Sequence, residues 1–180
     1  MASGTRKPTA VAITFGVLNL IGATLGLCAI CAGTVGLLVM ANTPDPALQE
    51  VMTPNVKFAT GVGIALDGIS TILILISGIA LVMGARWGKA ASIGWASFRL
   101  PSLALEAFLH FAYVLPDLRQ LLAKVNNAEA EFQIRLQMIS TVVGFVIAAG
   151  YALLLLTVCL TANLTKGNSR PLDEGDYDDE

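Results

Sequence analysis

Four long apolar runs constrain this chain more than any other feature. They extend from about Ala10 to Ala41, Phe58 to Met83, Ala90 to Leu115 and Met138 to Leu164. About 20 mostly apolar residues in a helix cross the roughly 30 Å of hydrocarbon in a bilayer. Each run reaches that length and is apolar on nearly all sides, which suits helices in lipid. Barrel strands would be about ten residues long with strict alternation, and that pattern is absent. The expected fold class is all-α, an integral membrane four-helix bundle.

Composition agrees. Of 180 residues, 55% are hydrophobic and 13% charged, against roughly 25% charged in soluble domains. A soluble protein of this size would be left with large apolar surface patches. Disorder is excluded for the body of the chain by its apolar content. Eleven Lys and Arg against 13 Asp and Glu leave no basic excess for nucleic acid.

The first run is longer than a bilayer requires and is expected to tilt or project. Asn42-Thr43-Pro44-Asp45-Pro46 ends it, because two prolines so close cannot continue a helix. Pro54-Asn55 precedes the second run, and Gly84-Ala85-Arg86-Trp87-Gly88-Lys89 is a short turn between the second and third. Pro116 is placed to open a new helix. Residues 117–137, polar with spaced Leu118, Leu121, Leu122, Val125 and Phe132, read as an amphipathic helical connection. The resulting organisation is an N-terminal segment 1–9, one transmembrane domain 10–164 and a tail 165–180. A cleaved signal peptide is disfavoured because the first run exceeds a 7–15-residue signal core. Leu27 likewise sits where a lipoprotein cleavage site before Cys28 needs a small residue.

Orientation follows from cations near the span ends. Arg6, Lys7, Arg86, Lys89, Lys166 and Arg170 fall on one side, and Lys57, Arg119, Lys124 and Arg135 on the other. The bias places both termini in the cytoplasm of a multi-pass cell-membrane protein, with Trp87 as an interfacial anchor. The Asn163-Leu164-Thr165 sequon then lies where a glycosylating enzyme does not reach it. Residues 172–180 hold six acids and no base. Such a stretch is expected to be a disordered, solvated cytoplasmic tail, the alternative being a docking tail for a basic partner.

Ionisable side chains in hydrocarbon are costly, roughly 2.5–3.5 kcal/mol on insertion scales. Four occur here: Asp67 in the second span, and Arg99, Glu106 and His110 in the third. At about 100° per residue from Arg99, Glu106 falls near −20° and His110 near +20°. By the same count Ser92 lies near +20°, Trp95 and Tyr113 near −40°, and Asp117 near 0° if the helix continues. One narrow stripe therefore carries the polar residues and must face the bundle interior or a hydrated cleft. Reflection about the turn places Asp67 level with Glu106. Side chains lean toward the N-terminus of their own helix, so the expected pairs are Asp67–His110 and Glu106–Arg99. Pro101 should bend the helix between them, with the carbonyl of Ser97 met by Arg99, Ser102 or water.

Two readings of this cluster stay open. One is a buried polar clamp that sets helix register. The other is a proton or ion path, since carboxylates and His within spans mark relays. Catalysis has less support. Ser70, Thr71 and Ser102 are available as nucleophiles, but no elbow or metal signature accompanies them, and the single His argues against a multi-His metal site. Cys28 and Cys31 have CxxC spacing. With no further Cys or His nearby in sequence, they and Cys159 read as small packing residues. No catalytic residue, metal site or cofactor is expected.

Transmembrane helices meet through small residues. Gly22-x-x-x-Gly26 on the first span, continued by Ala29/Gly33 and Ala32/Gly36, forms one ridge. Ser140-x-x-x-Gly144-x-x-x-Ala148-x-x-x-Ala152 on the fourth forms another. The two are expected to pack on each other within the chain, the alternative being a homodimer seam. Asn19, buried in the first span, needs a partner in the second or fourth.

The stretch Ser77-Gly-Ile-Ala-Leu-Val-Met-Gly-Ala-Arg-Trp-Gly-Lys-Ala-Ala-Ser-Ile-Gly-Trp-Ala96 resembles a hairpin in uncharacterised small bacterial four-span membrane proteins. Those read roughly Gly-Ile-Gly-Leu-Leu, a linker, then Trp-(Gly or Ala)-Arg. Here Lys89 replaces the more usual Arg and keeps the charge. Ile13 to Leu27 is similar to their first spans. The resemblance covers about a quarter of the chain. It implies a four-helix membrane fold, no assigned activity and no shared catalytic residue to transfer; the expected setting is a bacterial inner membrane. The leading expectation is a non-catalytic structural, assembly or regulatory membrane component. The alternative is a small proton- or ion-linked transporter or channel using Asp67 and the stripe of span three. The partners it admits are the lipid bilayer, a second copy of the chain or other membrane proteins.

Overall fold

A computed structural model describes residues 8–42, 53–124 and 128–162. The N-terminal residues 1–7, the segment before the second span, the Asn163 sequon and the acidic tail lie outside the described residues.

Helix α1 spans Ala10–Asn42, α2 Pro54–Val82 and α3 Gly88–Leu109. A π-helical turn, His110–Val114, leads without a break into α4, Leu115–Lys124. Helix α5 spans Ala128–Thr161. Four stretches are long and apolar enough to cross a membrane: Ala10–Gly36, Pro54–Val82, Gly88–Gln120 and Met138–Thr161. The protein is thus an all-α four-helix bundle of membrane-spanning character. At 33 residues, α1 is about 50 Å long, well beyond a bilayer's hydrocarbon. Helix α5 begins about three turns before its apolar part. An exposed Glu131–Arg135 pair one turn apart supports that projection, with Arg135 Nη2 2.7 Å from Glu131 Oε1.

Local chemistry sets the ends. Thr9 Oγ1 accepts from the Ala12 amide at 3.2 Å and caps α1. Thr53 caps α2 by accepting from the Val56 amide at 3.2 Å, with Pro54 in the first turn. The α2–α3 turn is a Schellman motif. The Gly84 amide donates to Leu81 O at 3.2 Å and the Ala85 amide to Ala80 O at 2.9 Å. Gly84 takes φ 65°, a left-handed conformation that costs glycine nothing. The chain then doubles back with Gly88 against Ala80, where a Cβ would lie 3.0 Å from the Ala80 carbonyl.

Pro116 does not open a separate helix. It has no N–H for the carbonyl four residues back, and its ring crowds that carbonyl. The chain answers by widening one turn: the Leu115 amide bonds to His110 O, five residues back. The widening shifts the helical phase. Tyr113, expected on the polar stripe, is 39% exposed. Asp117 turns to α2, where Thr53 Oγ1 donates to its Oδ2 at 2.6 Å.

The helices pack in sequence order: α1 along α2, α2 on α3, and α3 on α5. The buried apolar cluster of Ala12, Ala23, Ile74, Leu81, Trp95, Ala96, Ala152, Leu155 and Cys159 gathers in the half of the bundle near the α2–α3 turn. In that half the backbones of α1 and α2 approach closely. A Cβ on Gly78 would sit 3.0 Å from Gly16 O, and one on Gly16 would sit 2.7 Å from Val82 Cγ2. The two small-residue ridges do not meet each other. Gly22 and Gly26 pack against α2, where their Cβ positions face Ile74 Cδ1 at 3.4 Å and Thr71 Oγ1 at 2.6 Å. Gly144 faces open space. The physical reason is that α1's glycines admit its immediate hairpin partner first, which leaves α5 to close on α3.

Candidate functional site

Two polar layers lie one above the other in the bundle. The first sits near the α2–α3 turn and joins all four spans. Tyr151 of α5 donates to Asn19 Oδ1 on α1. Asn19 Nδ2 donates to Ser77 Oγ on α2 at 3.0 Å. Ser92 Oγ donates to the Gly88 carbonyl at 2.9 Å, so it accepts from Ser77 across their 2.7 Å contact. Every hydroxyl and amide group is used in one direction along this chain. Asn19, Ser77 and Ser92 are fully buried. The partner expected for Asn19 in the second or fourth span is found in both. Below this layer Trp95 Nε1 donates to Ser70 Oγ at 3.0 Å, and the Trp95 and Tyr151 rings meet edge to face with centroids 5.9 Å apart.

The second layer is charged and lies about two turns farther along α3. Arg99 Nη1 is 2.9 Å from Asp67 Oδ1 and 2.9 Å from Glu106 Oε1. One guanidinium nitrogen thus joins α2 to α3 and spans two turns of α3. The Glu106–Arg99 pair matches the expectation. The Asp67–His110 pair does not form. Arg99 has the longer reach and a permanent charge, and it takes both carboxylates. The His110 ring meets two aromatic rings edge to face, with centroids 5.8 Å from Phe111 and 6.1 Å from Phe145. The candidate nucleophiles Ser70 and Ser102 have other partners. Ser70 is bound to Trp95, and Ser102 donates to the Phe98 carbonyl at 2.8 Å. That carbonyl is one residue beyond Ser97, whose oxygen loses its usual partner to Pro101.

Two cavities meet at this layer. The larger, about 580 Å³, runs between α1 and α5 over a floor of α2 and α3. Asp67 and Arg99 lie in its lining, together with Ser70, Trp95 and Tyr151. The smaller, about 280 Å³, lies on the side away from the α2–α3 turn. Asp67, Glu106 and His110 line it with Thr60 and Thr141. Asp67 therefore borders both spaces, and its side chain is 46% exposed, against 13% for Arg99 and 9% for Glu106. Two ionised carboxylates against one guanidinium leave one surplus negative charge. In apolar surroundings that surplus is met by a proton or by a cation.

The sequence pattern brings Asp67, Arg99 and Glu106 into direct contact and leaves His110 beside them on the same cavity wall. It did not single out Thr60 or Thr141. The signal for Thr60 is its position seven residues before Asp67, two turns away on the same face of α2. Among the described residues no group of three or more His, Cys, Asp or Glu is placed to hold a metal ion. Cys28 and Cys31 are exposed on α1, and Cys159 is buried.

No protein-family model, curated protein or solved structure matches this chain.

Proposed function

We propose that this protein is a non-catalytic membrane component that binds and passes protons or a small cation through Asp67, Arg99 and Glu106. The observation that carries the reading is the junction of two cavities at a charged cluster with one carboxylate in excess. A purely structural ion cluster in a span is better served by equal charges and close packing. Here the carboxylates border open space, and the packed apolar core lies elsewhere. The cation bias of the loops puts the α2–α3 turn and both termini in the cytoplasm, so the smaller cavity lies in the half of the bundle nearer the other face. The resemblance of the turn region to small bacterial four-span proteins makes a bacterial inner membrane the setting. Four helices leave little room for a complete pore, so passage across the full thickness calls for association of copies.

The test is proton flux into liposomes under an imposed pH gradient, read by an entrapped dye. Flux above that of empty vesicles, reduced about tenfold or more by Glu106→Gln, supports the reading. Flux equal to empty vesicles, or unchanged in the variant, overturns it.

A second reading, a structural or assembly component, draws on the Tyr151–Asn19–Ser77–Ser92 chain. That chain fixes all four helices and leaves no buried side-chain donor or acceptor unmatched among the described residues. It predicts a protein whose removal disturbs a partner's assembly while no flux is lost.

A further inference from the structure

The larger cavity has a shape that a path for protons alone does not require. Its walls are apolar and built from small or branched side chains: Gly22, Leu25 and Gly26 on α1, Gly144, Ile147 and Ala148 on α5. Leu25 is 65% exposed and Ile147 67%, and both stand within apolar spans. The mouth between α1 and α5 therefore faces hydrocarbon and not water. The floor holds the Asp67 carboxylate, the most exposed member of the charged cluster. Its volume of about 580 Å³ falls in the roughly 300–1,000 Å³ range of small-molecule sites, which combine apolar walls with a few placed polar groups.

We propose that this cleft binds a lipophilic monovalent cation, admitted sideways from the bilayer, with its charge against Asp67. The inference rests on the reading of the charged cluster as an ion-handling site and names the class of ion. Charge complementarity selects the occupant. Arg99 neutralises one of the two carboxylates and leaves a single negative charge, which one monovalent head group balances. An anionic head would meet that surplus unfavourably, and a neutral acyl chain would leave it unbalanced. The apolar walls take the body of the ligand, with Trp95 and Tyr151 closing the inner end. Gly144 and Ala148 keep the space open because larger side chains there would occupy it.

The full chain in nanodiscs of zwitterionic lipid is tested with tetraphenylphosphonium as the probe, by equilibrium dialysis against empty nanodiscs. Triphenylphosphine oxide serves as a neutral probe with a similar aryl body. Saturable binding of the cation is expected, with no saturable binding of the neutral probe. Asp67→Asn removes the surplus charge, and Gly144→Leu fills the cleft. Nothing lies within 4 Å of a Cβ built on Gly144, so the second variant keeps the fold, checked by circular dichroism and melting. Each should weaken binding about tenfold or more. Absence of saturable cation binding overturns the proposal, as do equal binding of the neutral probe and retention of affinity in Gly144→Leu. Glu106-dependent proton flux without probe binding defeats this inference alone. Binding that depends on Asp67 without proton flux defeats only the proton reading.

Discussion

Replacing Asn19 by Ala tests whether the uncharged polar layer holds the bundle together. The substitution removes two interhelical hydrogen bonds, one from Tyr151 and one to Ser77. Such bonds within membranes average about 0.6 kcal/mol and reach about 1.7, so the pair contributes about 1–3 kcal/mol. Ser77 keeps Ser92 as its acceptor, so the bond chain downstream survives. The Tyr151 hydroxyl loses its acceptor, a cost of about 1–3 kcal/mol that overlaps with the lost bond and is not added to it. The space vacated at a fully buried site adds about 1 kcal/mol, less than a Leu→Ala cavity. The total is about 2–4 kcal/mol. Unfolding by SDS in mixed micelles, followed by tryptophan fluorescence, measures it. A double-mutant cycle with Tyr151→Phe should return a coupling of about 0.6–1.7 kcal/mol. A loss below about 0.5 kcal/mol for Asn19→Ala, or additivity within about 0.3 kcal/mol in the cycle, would refute the reasoning.

Three other outcomes follow from the geometry. Gly78→Ala should destabilise by about 1–3 kcal/mol, because its Cβ would lie 3.0 Å from the backbone oxygen of Gly16. Gly68→Ala, whose Cβ meets nothing within 4 Å, should stay within about 0.5 kcal/mol or gain stability; the same micelle unfolding compares them. Arg99→Met should lower the yield of folded protein more than Glu106→Gln does, since it leaves two carboxylates without their shared cation, a loss of about 3–5 kcal/mol when a buried partner is removed. Size-exclusion recovery after extraction ranks the two. Cysteines placed at Ser3 or Ser169 in a cysteine-free background should react with a membrane-impermeant maleimide only after the cytoplasmic face is opened, and labelling in intact cells would reverse the topology.

Much of the fold is legible from local properties. Apolar runs of bilayer length announce the spans, and the Gly84 turn follows from the need for a left-handed residue after α2. The 100° step along α3 brings Arg99 and Glu106 to one face, and their contact needs nothing beyond one helix and a long side chain. Pro116 shows the limit of that periodicity. One widened turn interrupts the regular step, and Tyr113 is exposed rather than on the inward stripe. A periodic count has no means of registering a π turn.

Two decisions belong to the tertiary structure alone. Asp67 could reach His110 or Arg99 by depth, and it went to the side chain with the longer reach and the fixed charge. The small-residue ridges of α1 and α5 carry no address. Which helix each meets depends on crossing angles and on the short α2–α3 turn, both set by packing over the whole bundle. The sequence by itself determined that the chain crosses a membrane with four helices and that its few intramembrane charges gather on α2 and α3, because apolar content and helical period are properties of each segment. Only the tertiary structure decided that α1 and α5 stand apart over those charges, because a cleft exists only in the relation between helices.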